Sequence, residues 1–397
     1  MKKRGIFGIN INIILLGFVS LLNDVSSEMI TPILPLFLKA IGGSSVIIGL
    51  VGGLRDSISN LLKVVSGYYS DKTGKRKIFV FSGYLSSSIF KCFMALAKSW
   101  QYLLFFSALE RTGKGLRDAP RDAIIAKYAH EKRGQIFGLH RTLDTTGAII
   151  GSILVFILYW VFELKFSFII TVAAFIGFVS LIPLYFVKED HEKRHIVTIK
   201  FGFEHFSTRL RLFYLISGIF ALANFSYMFF ILRAQQFFIG KLAIGAPIFL
   251  YILYNIFYAI FAIPLGMLYD KIGRKKVIIS GYLLFCFTTL GFAFAKTLPA
   301  FIALFILYGI FYATIEGNQR AYVADLAHKE LKSTALGTFY TITGSLTLCS
   351  SLIAGFLWRY INSKAVFIFG STTSLLAIIL FLVFYQTLKR NPKSIEK

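Results

Sequence analysis

The sequence predicts an all-α membrane protein: twelve transmembrane helices in two pseudo-symmetric six-helix bundles. Three observations carry that prediction. First, 56% of the 397 residues are hydrophobic and 17% aromatic, more apolar surface than a soluble core of this size hides. Second, apolar runs of membrane length recur along the whole chain. Third, one polar string is written twice. Gly67-Tyr-Tyr-Ser-Asp71-Lys-Thr-Gly74-Lys-Arg-Lys77 returns 199 positions later as Gly266-Met-Leu-Tyr-Asp270-Lys-Ile-Gly273-Arg-Lys-Lys276, and each copy ends one apolar segment and begins the next.

A spanning helix needs about 20 apolar residues, since the hydrocarbon core is roughly 30 Å thick and each residue rises about 1.5 Å. Apolar runs between charged or Gly/Pro-marked breaks give twelve candidates: 6–39, 44–69, 77–97, 100–128, 133–161, 165–187, 210–239, 244–269, 276–296, 299–327, 333–361 and 364–388. Backbone groups in lipid must bond within their own segment, so all are expected to be helical. Met-Lys-Lys-Arg at the start, followed by an apolar stretch, imitates a secretory signal. The run lacks a small-residue cleavage site and leads into Asn23, Asp24, Pro32 and Pro35, so it is expected to remain as the first span. Residues 1–187 and 210–397 form the expected bundles. The polar stretch 188–209 is the expected cytoplasmic linker, too short to bury a core of its own.

Lys and Arg set the orientation. One set of alternate loops, with both termini, holds about 26 basic residues and the opposite set about seven, which places both termini in the cytoplasm of a multi-pass cytoplasmic-membrane protein. The same asymmetry explains the net charge of +24 as anchoring against anionic lipid rather than nucleic-acid binding. Cys92, Cys286 and Cys349 stand singly in apolar segments, offering neither a disulfide framework nor metal-ligand spacing. No metal or cofactor is expected.

The repeat extends beyond its opening string. At the same offset Pro120-Arg121 aligns with Gln319-Arg320, Gly138 with Gly337, and 128–132 with 327–331, so the halves are parallel repeats. On these residues the chain resembles a major facilitator superfamily transporter over essentially its whole length. The resemblance rests on the duplicated loop, on Arg111-Thr-Gly-Lys114-Gly115 in the fourth span and on Pro32-Ile-Leu-Pro35 late in the first. Asn23-Asp24-Val-Ser-Ser-Glu28 and Pro120-Arg121-Asp122-Ala123 resemble strings of a prokaryotic, efflux-type subgroup. The fifth span departs from the pattern of many drug/proton antiporters: Gly147-x-x-x-Gly151 is present without the Gly-Pro pair that follows it there. Asp71-Lys72-Thr73-Gly74 also imitates the phosphorylation site of ion-pumping ATPases. Lys75 stands where a Thr is required, and no phosphate-binding glycine loop exists in the chain, so the driving energy is expected from a gradient and not from an enzymatic step.

Ionisable residues inside a membrane are costly unless they are paired or face water, so each is a functional candidate. The N-terminal half holds most of them. Asp24 and Glu28 lie four apart on one face of the first span. Arg55, Asp56 and Lys63 lie in the second, Lys91 in the third, and Arg141 and Asp144 in the fifth. In the fourth span Glu110, Lys114, Arg117 and Arg121 form one stripe, with Arg111, Asp118 and Asp122 on the next. The C-terminal half has Arg233, Glu316 and Arg320. Arg111 lies about 15 Å into its span, near mid-depth. Asp24, Glu28, Arg55, Arg111 and Arg141 are expected to approach one cavity, with Lys114, Asp144 and Glu316 as further substrate contacts. The resemblance implies a proton-coupling role for Arg111. Asp24 and Glu28 are the candidate coupling carboxylates, since burial favours and a nearby arginine disfavours protonation of a carboxyl group; the alternative is that one of them simply neutralises Arg111. A salt-bridge ladder, for instance Lys114 with Asp118, is the structural alternative for the cytoplasmic end of the fourth span. Tyr227, Phe229, Phe230, Tyr251, Tyr254, Tyr258, Phe311 and Tyr312 offer a stacking wall in the second half.

The expected function is secondary active transport, with export favoured, of a small anionic or amphipathic metabolite such as a carboxylate or siderophore, coupled to protons. The anionic preference follows from a slight excess of basic groups in the spans. Gly67, Asp71, Gly74 and Arg76, with Asp270, Gly273 and Arg274, would form a pair of gates, Asp71 meeting the start of the eleventh span near 333–334 and Asp270 the start of the fifth near Gly134. The expected partners are the substrate, protons and the lipid bilayer, without nucleic acid, and the expected state is a monomer. A non-transporting membrane receptor and a lipid translocase remain the alternatives.

Overall fold

The computed structural model describes residues 5–6, 9–129, 133–188, 206–328 and 331–390. Within these, helices run in the expected order and close to the expected lengths. They are Ile11–Ala40, Ser45–Thr73, Arg76–Ala95, Trp100–Ala129, Arg133–Trp160 and Phe166–Tyr185 in the first half, then Thr208–Gln235, Leu242–Ile272, Arg274–Phe294, Leu298–Leu326, Lys332–Tyr360 and Ser363–Arg390. Among the described residues eleven helices have the length and apolar content to cross a membrane. The remaining span, Trp100–Ala129, is 30 residues long, and its seven charged positions from Glu110 to Asp122 lower its hydropathy. It needs neighbouring helices to cover it.

The first span begins later than the sequence suggests. Gly5–Ile6 and Ile9–Asn10 pair as a short antiparallel hairpin, and the Asn10 side chain caps the helix by accepting the Asn12 amide at 2.9 Å. Helix therefore starts at Ile11 rather than residue 6. The same span breaks over 31–33 at Pro32, which has no amide hydrogen to continue the ladder. The seventh span breaks likewise over 224–227. The linker expected over 188–209 lies, at 189–205, outside the described residues.

The chain forms two compact units that differ from the sequence halves by a reciprocal exchange. The first comprises 1–43, 58–198 and 240–252; the second comprises 44–57, 199–239 and 253–397. In the first unit the start of the eighth span packs beside the fifth: Phe249 and Phe156 rings are 6.2 Å apart, and Lys241 lies 5.1 Å from the Trp160 ring centroid. In the second unit the start of the second span packs on the eleventh, where the Ser45 hydroxyl donates to the Gly355 carbonyl at 3.1 Å.

One close approach positions the functional side chains of the first unit. A Cβ added at Gly147 or Gly151 would strike the backbone carbonyls of Leu21 and Val25 respectively. The Gly-x-x-x-Gly pair thus lets the fifth span lie directly on the first, the small-residue packing that membrane helices use in place of a hydrophobic drive. Asp144 and His140, one and two turns earlier on the fifth span, are thereby set against Asp24 and Ser20.

A membrane-embedded polar cluster

The fourth span supplies most of the charge in the first unit, and its neighbours meet each group separately. Glu110 is 2% exposed; its Oε1 accepts the Ser87 hydroxyl at 2.9 Å, and its Oε2 lies 3.3 Å from Arg111 Nε. Arg117 places its guanidinium 4.5 Å from the Tyr84 ring centroid, a cation–π contact strengthened by burial. Asp118 pairs with Lys63 at 3.0 Å and approaches Arg117 at 3.9 Å. The ladder therefore exists, and its lysine is Lys63 rather than Lys114. Arg121 pairs with Asp122 at 3.0 Å and donates to Ser20 Oγ at 3.0 Å.

Two residues stand apart from this ladder. Asp24 and Lys114 are half-buried, and neither makes a hydrogen bond or ion pair with the described residues. Asp24 is in electrostatic reach of Lys114, Asp144, Arg117 and Glu28. A carboxylate and an ammonium held near each other with their polar atoms unengaged are suited to accept a polar ligand or a proton. Glu28, one turn along, accepts the Tyr251 hydroxyl at 2.7 Å.

The third span carries a further buried cation. Lys91 is fully buried and donates to Ser26 Oγ at 2.8 Å and Ser27 Oγ at 3.0 Å. The fifth span brings His140, 4% exposed, with Nδ1 3.4 Å from Asp144 Oδ2 and Nε2 3.1 Å from Ser20 Oγ. Ser20 Oγ is also 3.1 Å from the Tyr84 hydroxyl.

Of the residues expected at one cavity, the first unit thus gathers Asp24, Lys114 and Asp144, with Glu28 and Arg111 on the same spans but engaged by Tyr251 and Glu110. Arg141 belongs to this unit and is exposed. Arg55 is 3% exposed and lies in the 44–57 segment of the second unit, as does Asp56. Glu316, also in the second unit, accepts the Tyr258 hydroxyl at 2.5 Å and Arg320 at 3.3 Å.

The second unit is aromatic where the first is charged. Tyr254 lies 5.2 Å from Tyr308, 5.6 Å from Tyr312 and 6.3 Å from Tyr258, ring to ring. Phe230 stacks on Tyr308 at 4.2 Å. Phe229 and Phe230 are fully buried, so they act as core and not as the expected stacking wall. Tyr251 belongs to the first unit, on Glu28.

The duplicated loops share one backbone device. Gly74 and Gly273 adopt φ of +69° and +93°, the left-handed region where a side chain is strained, so both copies need glycine at this position. Asp71 is held within its own loop, accepting Arg76 Nη2 at 2.9 Å and Nε at 3.2 Å. In the second copy Arg274 pairs with Asp325. The side chain of Asp270 lies outside the described residues, as do the side chains over 130–134, where its expected contact near Gly134 falls. Gly67 contacts Ala119, where an added Cβ would sit at 3.4 Å, while Gly266 has open space.

Sequence reasoning missed the contributions of Ser20, Tyr84, His140 and the Ser26–Ser27 pair. The spacing becomes a signal only once the two faces meet: Ser20 and Asp24 are four apart, His140 and Asp144 are four apart, and Gly147 and Gly151 bring those faces together.

Comparison with known proteins places these features in a family. The pattern of the Major Facilitator Superfamily matches residues 16–242 and again 213–397. An uncharacterized MFS-type transporter of Methanocaldococcus jannaschii is 53% identical over 377 residues, covering 94% of each chain. The multidrug resistance protein MdtH of Shigella dysenteriae is 31% identical over 118 residues, 30% of this chain and 29% of that one. Among solved structures, that of the nucleoside transporter NupG superposes with a TM-score of 0.78 at 14% identity, covering 94% of this chain and 99% of that one. At that identity the likeness is one of fold.

Proposed function

The chain belongs to the major facilitator superfamily, and from that premise we propose that it is a proton-coupled secondary transporter exporting a small anionic or amphipathic metabolite across the cytoplasmic membrane. The observation that carries the reading is the pair Arg111–Glu110, buried about 15 Å into the fourth span beside the unengaged Asp24 and Lys114. A buried ion pair is a poor way to stabilise a fold, because desolvation offsets most of its attraction. Its placement at mid-depth, where transporters of this architecture bind their cargo, favours a role in transport.

In this account Arg111 and Lys114 attract the anionic group of the substrate, with Arg55, Arg141, Asp144 and Glu316 as further contacts. Asp24 and Glu28 exchange the coupling proton as Arg111 approaches or leaves. The 31% identity to a multidrug resistance protein over part of the chain supports export. Asp71 and Asp270 act as paired gates, each released when the cytoplasmic face opens, and both termini lie in the cytoplasm with the basic loops. A carboxylate metabolite or siderophore fits the slight excess of basic groups.

The test has two arms. Metabolite profiles of a deletion strain and its parent are compared, and the compound that accumulates inside deleted cells is supplied to proteoliposomes containing the purified protein. The proposal expects its addition to move protons across the bilayer. A compound that crosses with no accompanying pH change contradicts proton coupling, and identical metabolite profiles contradict export.

A further inference from the structure

The hydrogen-bond chain Asp144–His140–Ser20–Tyr84 joins three spans of the first unit, and its members His140, Ser20 and Tyr84 have no assigned role in the account above. Its geometry is that of a reversible chain. His140 Nδ1 faces Asp144 Oδ2 at 3.4 Å, Nε2 faces Ser20 Oγ at 3.1 Å, and Ser20 Oγ faces Tyr84 at 3.1 Å and Arg121 Nη1 at 3.0 Å. We infer that the His140–Asp144 pair is the site that binds the coupling proton, and that Ser20 and Tyr84 register its arrival by reversing their hydrogen bonds. The inference rests on the proton-coupled reading and puts the resting site of the proton on this pair, with which Asp24, in electrostatic reach of Asp144, exchanges it.

Counting donors and acceptors at Ser20 supports two arrangements. With a neutral imidazole, Nδ1–H donates to the Asp144 carboxylate and Nε2 accepts the Ser20 hydroxyl. The two Ser20 lone pairs then receive Tyr84 O–H and Arg121 N–H, so every group at Ser20 is satisfied. With one proton added at Nε2, that N–H and Arg121 fill the lone pairs of Ser20, and the Ser20 O–H turns to the Tyr84 oxygen. Ser20 is again satisfied, and the pair has gone from a net charge of −1 to 0. An alternative resting place for the same proton is Asp144 Oδ1, which is buried and has no hydrogen-bond partner among the described residues. The proton then belongs to the pair and not to either residue.

The surroundings give both states a counterpart. The first span presents Asp24, and the fourth presents Arg117, Asp118, Arg121 and Asp122. Lys63 lies on Asp118, the third span presents Tyr84 and Lys91, and the fifth itself carries Arg141. The sixth span, Phe166–Tyr185, has no charged residue. Tyr84 also lies under the Arg117 guanidinium, so turning its hydroxyl alters the contact of a buried charge on the span that carries Arg111. A proton taken up on the fifth span is thereby felt on the fourth.

Two measurements on the full-length protein in lipid nanodiscs test this without a known substrate. In the first, His130, His191, His195, His205 and His328 are replaced by Asn, leaving His140 as the sole histidine, and its ¹⁵N-imidazole resonances are followed from pH 5 to 9. The inference expects the His140 resonances to respond to pH across that range, and the response to change in D144N. A resonance that stays constant throughout overturns it, whether or not the variants fold. In the second, spin labels at positions 73 and 332 report, by electron–electron distance, how the conformational populations depend on pH. The expected result is a pH response in the parent and in the loop control E163Q that is lost in H140Q and D144N. Parent-like responses in both variants overturn the inference and leave proton coupling standing, with D24N then the variant that abolishes the response. A parent that shows no response removes the proton-coupled reading itself.

Discussion

The fourth and tenth spans occupy equivalent places in the repeat, and their side chains show how the two units diverged. At the offset of 199, Glu110, Arg111, Lys114, Arg117, Asp118 and Asp122 correspond to Gly309, Ile310, Ala313, Glu316, Gly317 and Ala321; of the charged set, Arg121 alone keeps its type, as Arg320. The fifth and eleventh spans differ in the same way, with His140 and Asp144 matched by Phe339 and Thr343. Against these differences the loop glycines Gly74 and Gly273 keep one backbone conformation. Duplication has preserved what the backbone needs at the two loops, while the charged chemistry is concentrated in the first unit and aromatic packing in the second.

The largest effect that would break this contrast comes from Arg111. R111A should abolish transport and cost about 3–5 kcal/mol of stability, since it removes the guanidinium 3.3 Å from the buried Glu110 carboxylate. The double variant E110Q/R111Q should recover much of the stability and none of the transport. Thermal unfolding and restoration of the parental metabolite profile in the deletion strain would measure the two separately.

Packing comes next. G147L places a side chain against the Leu21 carbonyl and should push the fifth span off the first, with a cost of about 1–3 kcal/mol or more from overpacking, read as a lowered unfolding temperature. G266L, with open space around its added side chain, should be well tolerated. At the loops, G74A and G273A should each cost about 1–2 kcal/mol through left-handed backbone strain. D71N should remove the Arg76 pairing with little change in unfolding temperature and a severe loss of transport, since the residue is proposed as a gate.

The smallest effects lie in the second unit and in the outer loop. Y258F removes the hydroxyl donated to Glu316 and should cost about 1 kcal/mol, with transport largely kept. Glu163, in the loop between the fifth and sixth spans, has its carboxyl held below the usual 4.5 by the hydrogen bond from Lys241. A depressed carboxylate stabilises the fold above its unfolded value and loses that contribution as pH falls through the folded one. E163Q should therefore be slightly less stable than the parent at pH 7 and indistinguishable from it well below pH 4.5 in thermal unfolding.

The architecture was legible in the sequence because spans announce themselves by apolar length and loops by charge and glycine. The candidate site was legible only in part. Arg111, Lys114, Asp24 and Asp144 could be named from depth and helical spacing, since a charge in a membrane is conspicuous. Ser20, Tyr84 and His140 could not, because hydroxyls and a single histidine carry little signal until two faces are known to meet. That meeting depends on Gly147 and Gly151, whose role is a close helix approach rather than the antiporter motif they partly imitate. Lys63, and not Lys114, pairs with Asp118 because the second span packs against the fourth at that height, a tertiary fact that spacing along one helix cannot supply.

The central claim is that recognition and coupling depend on the charged first unit more than on its counterpart. It is tested most directly by complementing the deletion strain with R111K and with E316Q, at matched membrane levels, and measuring the metabolite that accumulates without the transporter. The account predicts that R111K leaves the metabolite accumulated, because a lysine loses the planar guanidinium that Glu110 and an anionic cargo share, whereas E316Q returns it to within about twofold of the parent, a difference of roughly 0.4 kcal/mol. Restoration by R111K together with failure of E316Q would contradict it.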